Sequence, residues 1–318
     1  MCGISGVLTP RILDQRILGE MSGALRHRGP DQDGVFASPE RGVYLGHRRL
    51  SIIDLSDRGR QPMTSSCGRF VVVYNGELYN HVELRRSLIE RGCSFRSASD
   101  TEVLLHAYGQ WGKQCLQHLN GMFALALYDI PANKVFLARD RIGEKPLYYV
   151  HQAEVFAFAS EAKALRPLRQ LGLELGIDPE QVAALLGYMW VPDRSRTLLK
   201  HVQRLEPGHW GEFDLASGRF HIERYWELRV REEISRLPFG EAAETYTRML
   251  DESVRIRLRA DVPPSCCPAD WTRAWSRPSL ESTFPTCGRS RWSSSGGTAR
   301  ARSPGWSQGI SAVGIKSC

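Results

Sequence analysis

The pattern of apolar positions divides the first 262 residues into many short strands with a few helical segments between them. Runs of β-branched, aromatic and aliphatic residues that end at turn residues predict strands. The predicted strands are MCGISGVLTP, a hairpin over 34–45, a strand at 70–74, the pair GMFALALYD and KVFLARD, and the pair 147–150 and 155–159. The strand at 70–74 is predicted to stop at Asn75-Gly76, a pair that favours a turn. Many strands with few helices predict stacked sheets covered by helices.

Apolar residues at helical spacing mark the segments between the strands. The first, ILDQRILGEMSGALRHRGPD, ends in a Gly-Pro turn, which places Arg28 at a helix end or in a loop. The other predicted helices are 79–91, closed by Gly92; 101–112, with Asp100 as its N-cap; most of 171–190; and 241–259.

The organisation of the chain changes after residue 190. Residues 1–190 are predicted to form one domain, and Pro192 with the polar stretch DRSRT begins a linker and β-rich connector over 191–240. The amphipathic helix within 241–262 is predicted to open a second domain. Residues 263–318 show neither helical nor strand periodicity, yet they hold half of the eight Cys and half of the eight Trp. The missing periodicity predicts disorder, and the Trp and Cys content predicts a non-native tail, because ordinary linkers are poor in both residues.

Composition and charge narrow the function classes. A chain of 318 residues with 42% hydrophobic content is typical of a soluble globular protein of about two domains. It has no apolar run long enough for a membrane span, no secretion signal and no disulfide framework spacing, so we expect a cytoplasmic protein without a membrane partner. Residues from 263 onward carry seven Arg and Lys against two acidic residues, which is +5 of the net charge of +7. The folded part is near neutrality, so we expect no nucleic-acid partner.

A thiol stands at the second position of the chain. If Met1 is removed, which the small second residue permits, Cys2 carries both a thiol and a free α-amine. Because an α-amine titrates at about 8, it can take the thiol proton near neutral pH and produce the thiolate that acyl transfer needs. Cys2 is therefore a candidate nucleophile that supplies its own base. The alternative is a Cys that only packs against its neighbours.

Four motifs follow Cys2 in the order RHRGPD, HRRLSII, YNGELYN and SASD. In this order they resemble the glutaminase domain of class II glutamine amidotransferases. The further motifs RDRIGEKPLYY, EPGHW and YW resemble one branch, the glutamine-hydrolysing asparagine synthetases. The resemblance implies an α+β fold, the four-layer αββα sandwich of N-terminal nucleophile hydrolases, followed by the remnant of an α/β ATP-pyrophosphatase domain. It also implies an enzyme that hydrolyses glutamine to glutamate and ammonia.

The resemblance assigns the chemistry of this hydrolysis to three residues. Cys2 is the nucleophile, and the Asn75 side chain with the Gly76 backbone N–H forms the oxyanion hole. Attack on the amide produces a tetrahedral oxyanion, and fixed hydrogen-bond donors stabilise it most when the site excludes water.

The resemblance also assigns residues to the recognition of glutamine. Arg49 binds its α-carboxylate through a bidentate fork, and Glu77 and Asp100 bind its ammonium group. The pocket is further lined by Leu50, Ser51, Ile52 and Ile53, and Arg28 and Asp31 of RHRGPD have a supporting role. We expect no metal site and no cofactor for this domain.

In the family, a second domain uses the ammonia and activates aspartate with Mg-ATP as a β-aspartyl adenylate. That domain opens with a pyrophosphate loop of the form SGGxDS soon after a DVP sequence. Asp261-Val262-Pro263 is present here, but PPSCCPADW stands in place of the loop. We therefore expect that the chain keeps the glutaminase half and has lost the ATP-dependent amidation of aspartate.

The genetic code offers a cause for the missing loop. When the codons of residues 264–278 are read from their third base, one allowed choice gives VVLSGGLDSSLVAA, in which Leu-Asp is forced by Trp271 and Thr272. This predicts a single frameshift near Pro263, in the gene or in its sequencing.

Other interpretations stay open at this stage. The chain could be a non-catalytic remnant whose helix at 241–259 has lost its partner, it could hydrolyse another amide, or its intact relative could amidate another carboxylate. A homodimer is also compatible with the resemblance.

Overall fold

The computed structural model describes residues 1–230 and 236–262. The strands of this part are β1 (Gly3–Leu8), β2 (Gln32–Ser38), β3 (Val43–Arg49), β4 (Met63–Thr64), β5 (Phe70–Leu78), β6 (Gly121–Asp129), β7 (Lys134–Arg139), β8 (Tyr148–Gln152), β9 (Val155–Ala159), β10 (Val202–Arg204), β11 (His209–Asp214) and β12 (Arg219–Arg224). Its α-helices are α1 (Gln15–Gly23), α2 (His81–Glu90), α3 (Asp100–Trp111), α4 (Cys115–His118), α5 (Pro179–Tyr188) and α6 (Phe239–Arg257). Its 3₁₀ segments are Pro39–Arg41, Asp57–Gly59, Gly112–Gln114 and Ala162–Leu171.

The described strands form two six-stranded sheets, in the orders β10-β8-β9-β1-β3-β2 and β12-β11-β7-β6-β5-β4. β1 is paired on both sides, with Ser5 opposite Gly46 of β3 and Ala159 of β9. β5 pairs with β6 along its whole length, but β4 covers its other edge only at Val71 and Val72. The later half of β5 therefore has an edge that other groups can reach.

The layers follow from the alternation of side chains along the strands. In β5, Val71 and Val73 pack between the two sheets, whereas Val72 and Tyr74 pack under α2 and α3. The outer face of the other sheet packs on α1 and on the 3₁₀ segment Ala162–Leu171. The layer order of helix, sheet, sheet and helix confirms the predicted αββα sandwich of the α+β class.

Two predicted boundaries near the end of β5 are wrong. β5 does not stop at Asn75-Gly76 but runs through both residues, because its ladder with β6 continues to Leu78. The N-cap of α3 is Ser99, whose hydroxyl accepts from Thr101 N, and Asp100 is the first helical residue. The Asp100 carboxylate is therefore available for contacts outside its own helix.

The predicted helix over most of 171–190 is also wrong. Gly172 ends the preceding 3₁₀ segment with φ +87°, a left-handed conformation that suits glycine. The helix of this region, α5, begins only after Asp178, whose side chain accepts from Glu180 N and Gln181 N.

Residues 191–240 contribute directly to the sandwich. β10 adds to the edge of one sheet beside β8, and β11 and β12 extend the other sheet beside β7. Val202 and Trp210 are buried in the same clusters as residues of β1–β9. Because these strands complete both sheets, the sandwich continues past the predicted boundary at residue 190.

α6 confirms the predicted helix near 241–259, and none of its residues is buried. The predicted non-native tail at 263–318 lies outside the described residues. Within 1–230 and 236–262, no helix combines the length and the apolar character that crossing a membrane requires.

Candidate active site

One cavity gathers most of the residues singled out in the sequence. It lies where the N-terminus, the segment after β3 and the end of β5 meet the start of α3. The predicted residues at its wall are Cys2, Arg49, Leu50, Ile52, Ile53, Asn75, Gly76, Glu77 and Asp100. Elements that are far apart in sequence thus place a thiol, an amide, a guanidinium and two carboxyl groups around one space.

The Cys2 thiol lies against the segment that follows β3. Its Sγ donates to Leu50 O at 3.6 Å and accepts from Leu50 N at 3.4 Å. Arg28 fixes the main chain here, since its Nε donates to Cys2 O at 2.9 Å. Burial raises the pKa of the Cys2 thiol, and the hydrogen bond from Leu50 N only partly offsets this. The resting thiol is therefore protonated at neutral pH and needs a base before it can attack.

Asn75 places an unpaired amide inside the sandwich. Because side chains alternate along β5, Asn75 points to the same face as Val71 and Val73. This face is directed towards the other sheet, which contains β1, the strand that follows Cys2. It is 0% exposed, and neither its Nδ2 nor its Oδ1 has a hydrogen-bond partner among the described residues. A buried polar group without a partner costs roughly 1–3 kcal/mol. A ligand atom that accepts from this amide would account for its retention.

The Gly76 N–H is directed into the same space. Opposite Gly76, the Phe123 carbonyl oxygen accepts from Asp140 N at 2.8 Å and Phe123 N donates to Asp140 Oδ2 at 3.2 Å. Gly76 and Phe123 are therefore a non-hydrogen-bonded pair, and the Gly76 N–H points away from β6. On that side, the N–H groups two residues before and two residues after it donate to the side chains of Gln61 and Asp100, at 2.7 and 3.0 Å. The Gly76 N–H lies between these two bonded groups at the cavity wall.

Two buried carboxyl groups face the cavity. Asp100 Oδ2 accepts from Leu78 N at 3.0 Å and from the Tyr74 hydroxyl at 3.2 Å. Burial, and then the negative charge of Asp100, raise the pKa of Glu77 to about 7, and Lys145 partly opposes this. Burial also raises the pKa of Asp100. A cation bound between the two carboxylates would lower both pKa values.

Arg49 is 4% exposed and lies at the cavity wall with its guanidinium already engaged. Its Nη1 donates to Gln32 Oε1 at 2.8 Å and to Ser56 O at 3.0 Å. Its Nη2 donates to Ile53 O at 3.2 Å and to the Asp54 carbonyl oxygen. A carboxylate that pairs with this guanidinium must therefore displace one of these acceptors or bind at Nε, and the bidentate contact with the α-carboxylate stays a prediction.

Residues 1–226 match a family model described as a glutamine amidotransferase domain. The chain belongs to the glutamine amidotransferase family. Its domain is of the kind found in glutamine-hydrolysing asparagine synthetases, as the motifs predicted.

Two relatives from Bacillus subtilis (strain 168) illustrate the similarity. The chain is 34% identical to asparagine synthetase (glutamine-hydrolyzing) 3, covering 83% of this chain and 42% of the relative. It is also 34% identical to asparagine synthetase (glutamine-hydrolyzing) 1, covering 83% of this chain and 41% of the relative. The chain thus spans about two fifths of the length of these relatives.

A solved structure confirms the fold of the amidotransferase domain. Glutamine phosphoribosylpyrophosphate amidotransferase from B. subtilis superposes with a TM-score of 0.54 and 19% identity, covering 72% of this chain and 50% of that chain.

Three predicted residues of the amidotransferase domain, Arg28, Asp31 and Ser51, do not line the cavity. Ser51 is not at the wall, and its N donates to Asp31 Oδ2 at 2.8 Å. Asp31 N in turn donates to Arg49 O at 3.1 Å. Arg28 adds an ion pair with Glu161, at 3.0 Å, to its bond with the main chain of the N-terminus. These contacts fix the N-terminus and the segment after β3 next to the cavity.

Lys145 is a cation that sequence reasoning did not place in the site. It lines the cavity and is 5% exposed. Its motif, RDRIGEKPLYY, folds around Asp140, whose Oδ1 accepts from Gly143 N at 2.6 Å and whose Oδ2 accepts from Lys145 N at 2.9 Å. Arg139 Nε donates to Lys145 O at 2.8 Å from the other side. The motif signals a tight loop, but nothing in it shows which cavity the lysine reaches. The other lining residues that were not predicted are Met1, Gly59, Gln61, Tyr74, Ser99, Thr101 and Met122.

Proposed function

We propose that this domain hydrolyses the side-chain amide of glutamine and releases glutamate and ammonia. The observation that carries the proposal is the unpaired Asn75 amide, which lines the same cavity as the Cys2 thiol and the Gly76 backbone. A nucleophile and two converging donors are what acyl transfer from an amide requires. Membership of the amidotransferase family supports the same reaction.

In the proposed reaction, the Cys2 thiolate attacks the side-chain carbonyl carbon of glutamine, and a C–S bond forms as the carbonyl oxygen becomes an oxyanion. Asn75 Nδ2 and Gly76 N donate hydrogen bonds to that oxygen. Collapse of the intermediate breaks the C–N bond, and the nitrogen leaves as ammonia with the proton that the thiol gave up. Water then hydrolyses the Cys2 thioester, which releases glutamate and restores the thiol.

The proposed base is the α-amine of Cys2 after removal of Met1. Met1 lines the cavity, and its Sδ lies 3.2 Å from Lys145 Nζ. Burial lowers the pKa of the chain's α-amine, which stands on Met1 here. The same surroundings would act on the amine of Cys2 and would favour its neutral form, as a general base requires.

The charges at the cavity wall suit the two ends of a zwitterionic amino acid. We propose that Arg49 attracts the α-carboxylate and that Glu77 and Asp100 receive the ammonium group. Burial, and then the negative charge of Asp100, raise the pKa of Glu77, and a bound ammonium group would lower this pKa again.

A glutaminase assay on the purified chain tests the proposal. Glutamate and ammonia, measured separately, are expected in equal amounts. Asparagine has a side chain one methylene shorter and N-acetylglutamine lacks the ammonium group, so both should be poor substrates. Absence of ammonia with every substrate would favour a non-catalytic domain, and equal rates with N-acetylglutamine would favour a broader amidohydrolase.

We propose that an intact relative with the complete second domain consumes the ammonia by amidating aspartate, because the relatives are named asparagine synthetases, and that this chain keeps only the glutaminase half. Mg-ATP would activate the aspartate, but the described residues do not fit it. In 1–230 and 236–262 no three His, Cys, Asp or Glu side chains are grouped to hold a metal ion, and PPSCCPADW, which stands in place of the phosphate loop, falls outside these ranges. No step above therefore involves ATP. The frameshift, a homodimer and a cytoplasmic location remain predictions.

Arg49→Ala is expected to raise the KM for glutamine by a factor of tens to hundreds, with a smaller effect on kcat. Loss of a buried charge-assisted contact costs roughly 2–4 kcal/mol. Steady-state kinetics measure the effect. Arg48→Ala is the matched control, because Arg48 is the preceding residue of β3 and does not line the cavity. An unchanged KM in Arg49→Ala would remove this residue from glutamine recognition.

The KM for glutamine is expected to fall as the pH rises through about 7, where the buried Glu77 ionises. Glu77→Gln should raise the KM and remove this dependence. Stability should fall over this pH range, although the affinity for glutamine rises, because the folded chain keeps the Glu77 proton to about pH 7, whereas the unfolded chain releases it near 4.5. The free energy of unfolding therefore loses the Glu77 contribution as the pH rises across that window. Urea unfolding at both ends of the window should show a smaller loss in Glu77→Gln, and equal losses would contradict the assignment.

A further inference from the structure

A contact from the chain after α6 reaches the wall of the candidate glutamine cavity. Asp261 N donates to Ile52 O at 2.9 Å, and Asp54 N donates to Asp261 Oδ2 at 2.7 Å. One residue thus bridges two positions in the segment after β3. Ile52 lines the cavity, whereas Asp261 lies beyond the family match, which ends at residue 226.

The polar groups of Asp54 show what this bridge holds in place. Asp54 has a φ of +57°, a left-handed conformation that is uncommon for residues other than glycine. Its side chain accepts from Ser56 N at 3.1 Å and from Ala98 N at 2.8 Å. Its carbonyl oxygen accepts from Arg49 Nη2. Asp261 provides the acceptor for the remaining polar group, the Asp54 N–H.

The end of α6 is fixed to the sandwich close to this contact. Arg259 pairs with both carboxylate oxygens of Glu83, at 2.6 and 2.7 Å, and donates to Tyr79 O at 2.9 Å. The Arg257 guanidinium lies 4.4 Å from the centre of the Tyr79 ring. These contacts hold the chain after α6 against α2 and the residue that follows β5, so that Asp261 meets the segment after β3.

We propose that Asp261 is a positioning residue for glutamine binding. It fixes the segment whose Ile53 and Asp54 carbonyl groups hold the Arg49 guanidinium, and thereby sets that guanidinium at the cavity wall. The inference rests on the proposed function of Arg49. Asp261 comes from outside the matched domain, so the affinity for glutamine is coupled to the docking of the chain after α6 on the sandwich. The coupling is reciprocal: docking strengthens glutamine binding, and bound glutamine stabilises docking by the same free energy.

Calorimetry with glutamine on the full chain carrying Cys2→Ala tests the inference, because binding is then measured without turnover. Adding Asp261→Ala is expected to raise the Kd roughly ten-fold, a common effect of losing a hydrogen bond to a charged group. Asp261→Asn keeps an acceptor oxygen for the Asp54 N–H, so its Kd should stay within about two-fold. Asp251→Ala removes an exposed acid of α6 and is the matched control.

Hydrogen exchange gives the reciprocal readout that a merely structural role would not change. Glutamine should slow amide exchange at 258–262 in the parent chain and leave it unchanged in Asp261→Ala. An unchanged Kd in a folded Asp261→Ala overturns the inference and leaves the proposed function standing. A parent that binds no glutamine overturns both. If Asp261→Ala fails to fold, the exchange measurement decides. The inference is overturned if glutamine does not slow exchange at 258–262 in the parent chain, and it is supported if glutamine slows this exchange in Asp261→Asn as well.

Discussion

Cys2→Ala is expected to abolish ammonia release from glutamine while the sandwich stays folded. The substitution removes the atom that forms the covalent bond, so the rate should fall by a factor of at least about 10⁴. Folding should survive, because within 1–230 and 236–262 the hydrogen bonds of the thiol are two long ones, both with the Leu50 main chain. Coupled measurement of glutamate and ammonia tests the rate, and circular dichroism tests the fold.

Cys67→Ala is the matched control for this result, because Cys67 is exposed and does not line the cavity. It should keep full activity. Cys2→Ser should be nearly inactive, since a hydroxyl is a far weaker nucleophile at neutral pH. Mass spectrometry of the active protein should show that Met1 is absent. Full activity with Met1 retained would contradict the α-amine as the base.

Asn75→Ala is expected to lower kcat by roughly 10²–10³-fold with little change in KM, the usual effect of removing one oxyanion donor. The Asn75 amide has no partner among the described residues, so the substitution breaks no hydrogen bond of the resting structure. The loss should therefore appear in the transition state. Steady-state kinetics separate kcat from KM.

Asn120→Ala is the control for Asn75→Ala, because Asn120 is exposed and lies outside the cavity. An unchanged kcat in Asn75→Ala would refute the oxyanion role. Gly76 cannot be tested by the same kind of change, because a Cβ there would lie 2.2 Å from the Met122 carbonyl oxygen. Its contribution is a main-chain N–H, which a side-chain substitution does not remove.

The β5 part of the site could be predicted because it is contiguous in sequence. Asn75, Gly76 and Glu77 follow one another in YNGELYN, and the structure places all three at one cavity wall. The predicted turn at Asn75-Gly76 was wrong, because nine residues of pairing with β6 override the local preference of that dipeptide. Local propensity thus located the residues and gave the wrong conformation.

The remaining part of the site depends on contacts without a local signature. Ser99 and Asp100 are both good N-caps, and only the fold shows that Ser99 caps α3 while Asp100 binds Leu78 N. The acceptors around the Arg49 guanidinium are largely main-chain carbonyl groups, which every residue possesses. Lys145 reaches the cavity because its loop folds around another side chain. Such arrangements follow from tertiary packing and cannot be derived from one stretch of sequence.

The unpaired amide of Asn75 also matters for protein engineering. In the resting structure this group lowers stability, since an apolar side chain of similar size would remove a buried polar group that has no partner. A variant library sorted only for heat resistance or expression would therefore enrich replacements at residue 75, and those members would have lost most of their activity. Sorting the same library for ammonia release would remove them. Residue 75 is thus a position at which selection for stability and selection for activity act in opposite directions.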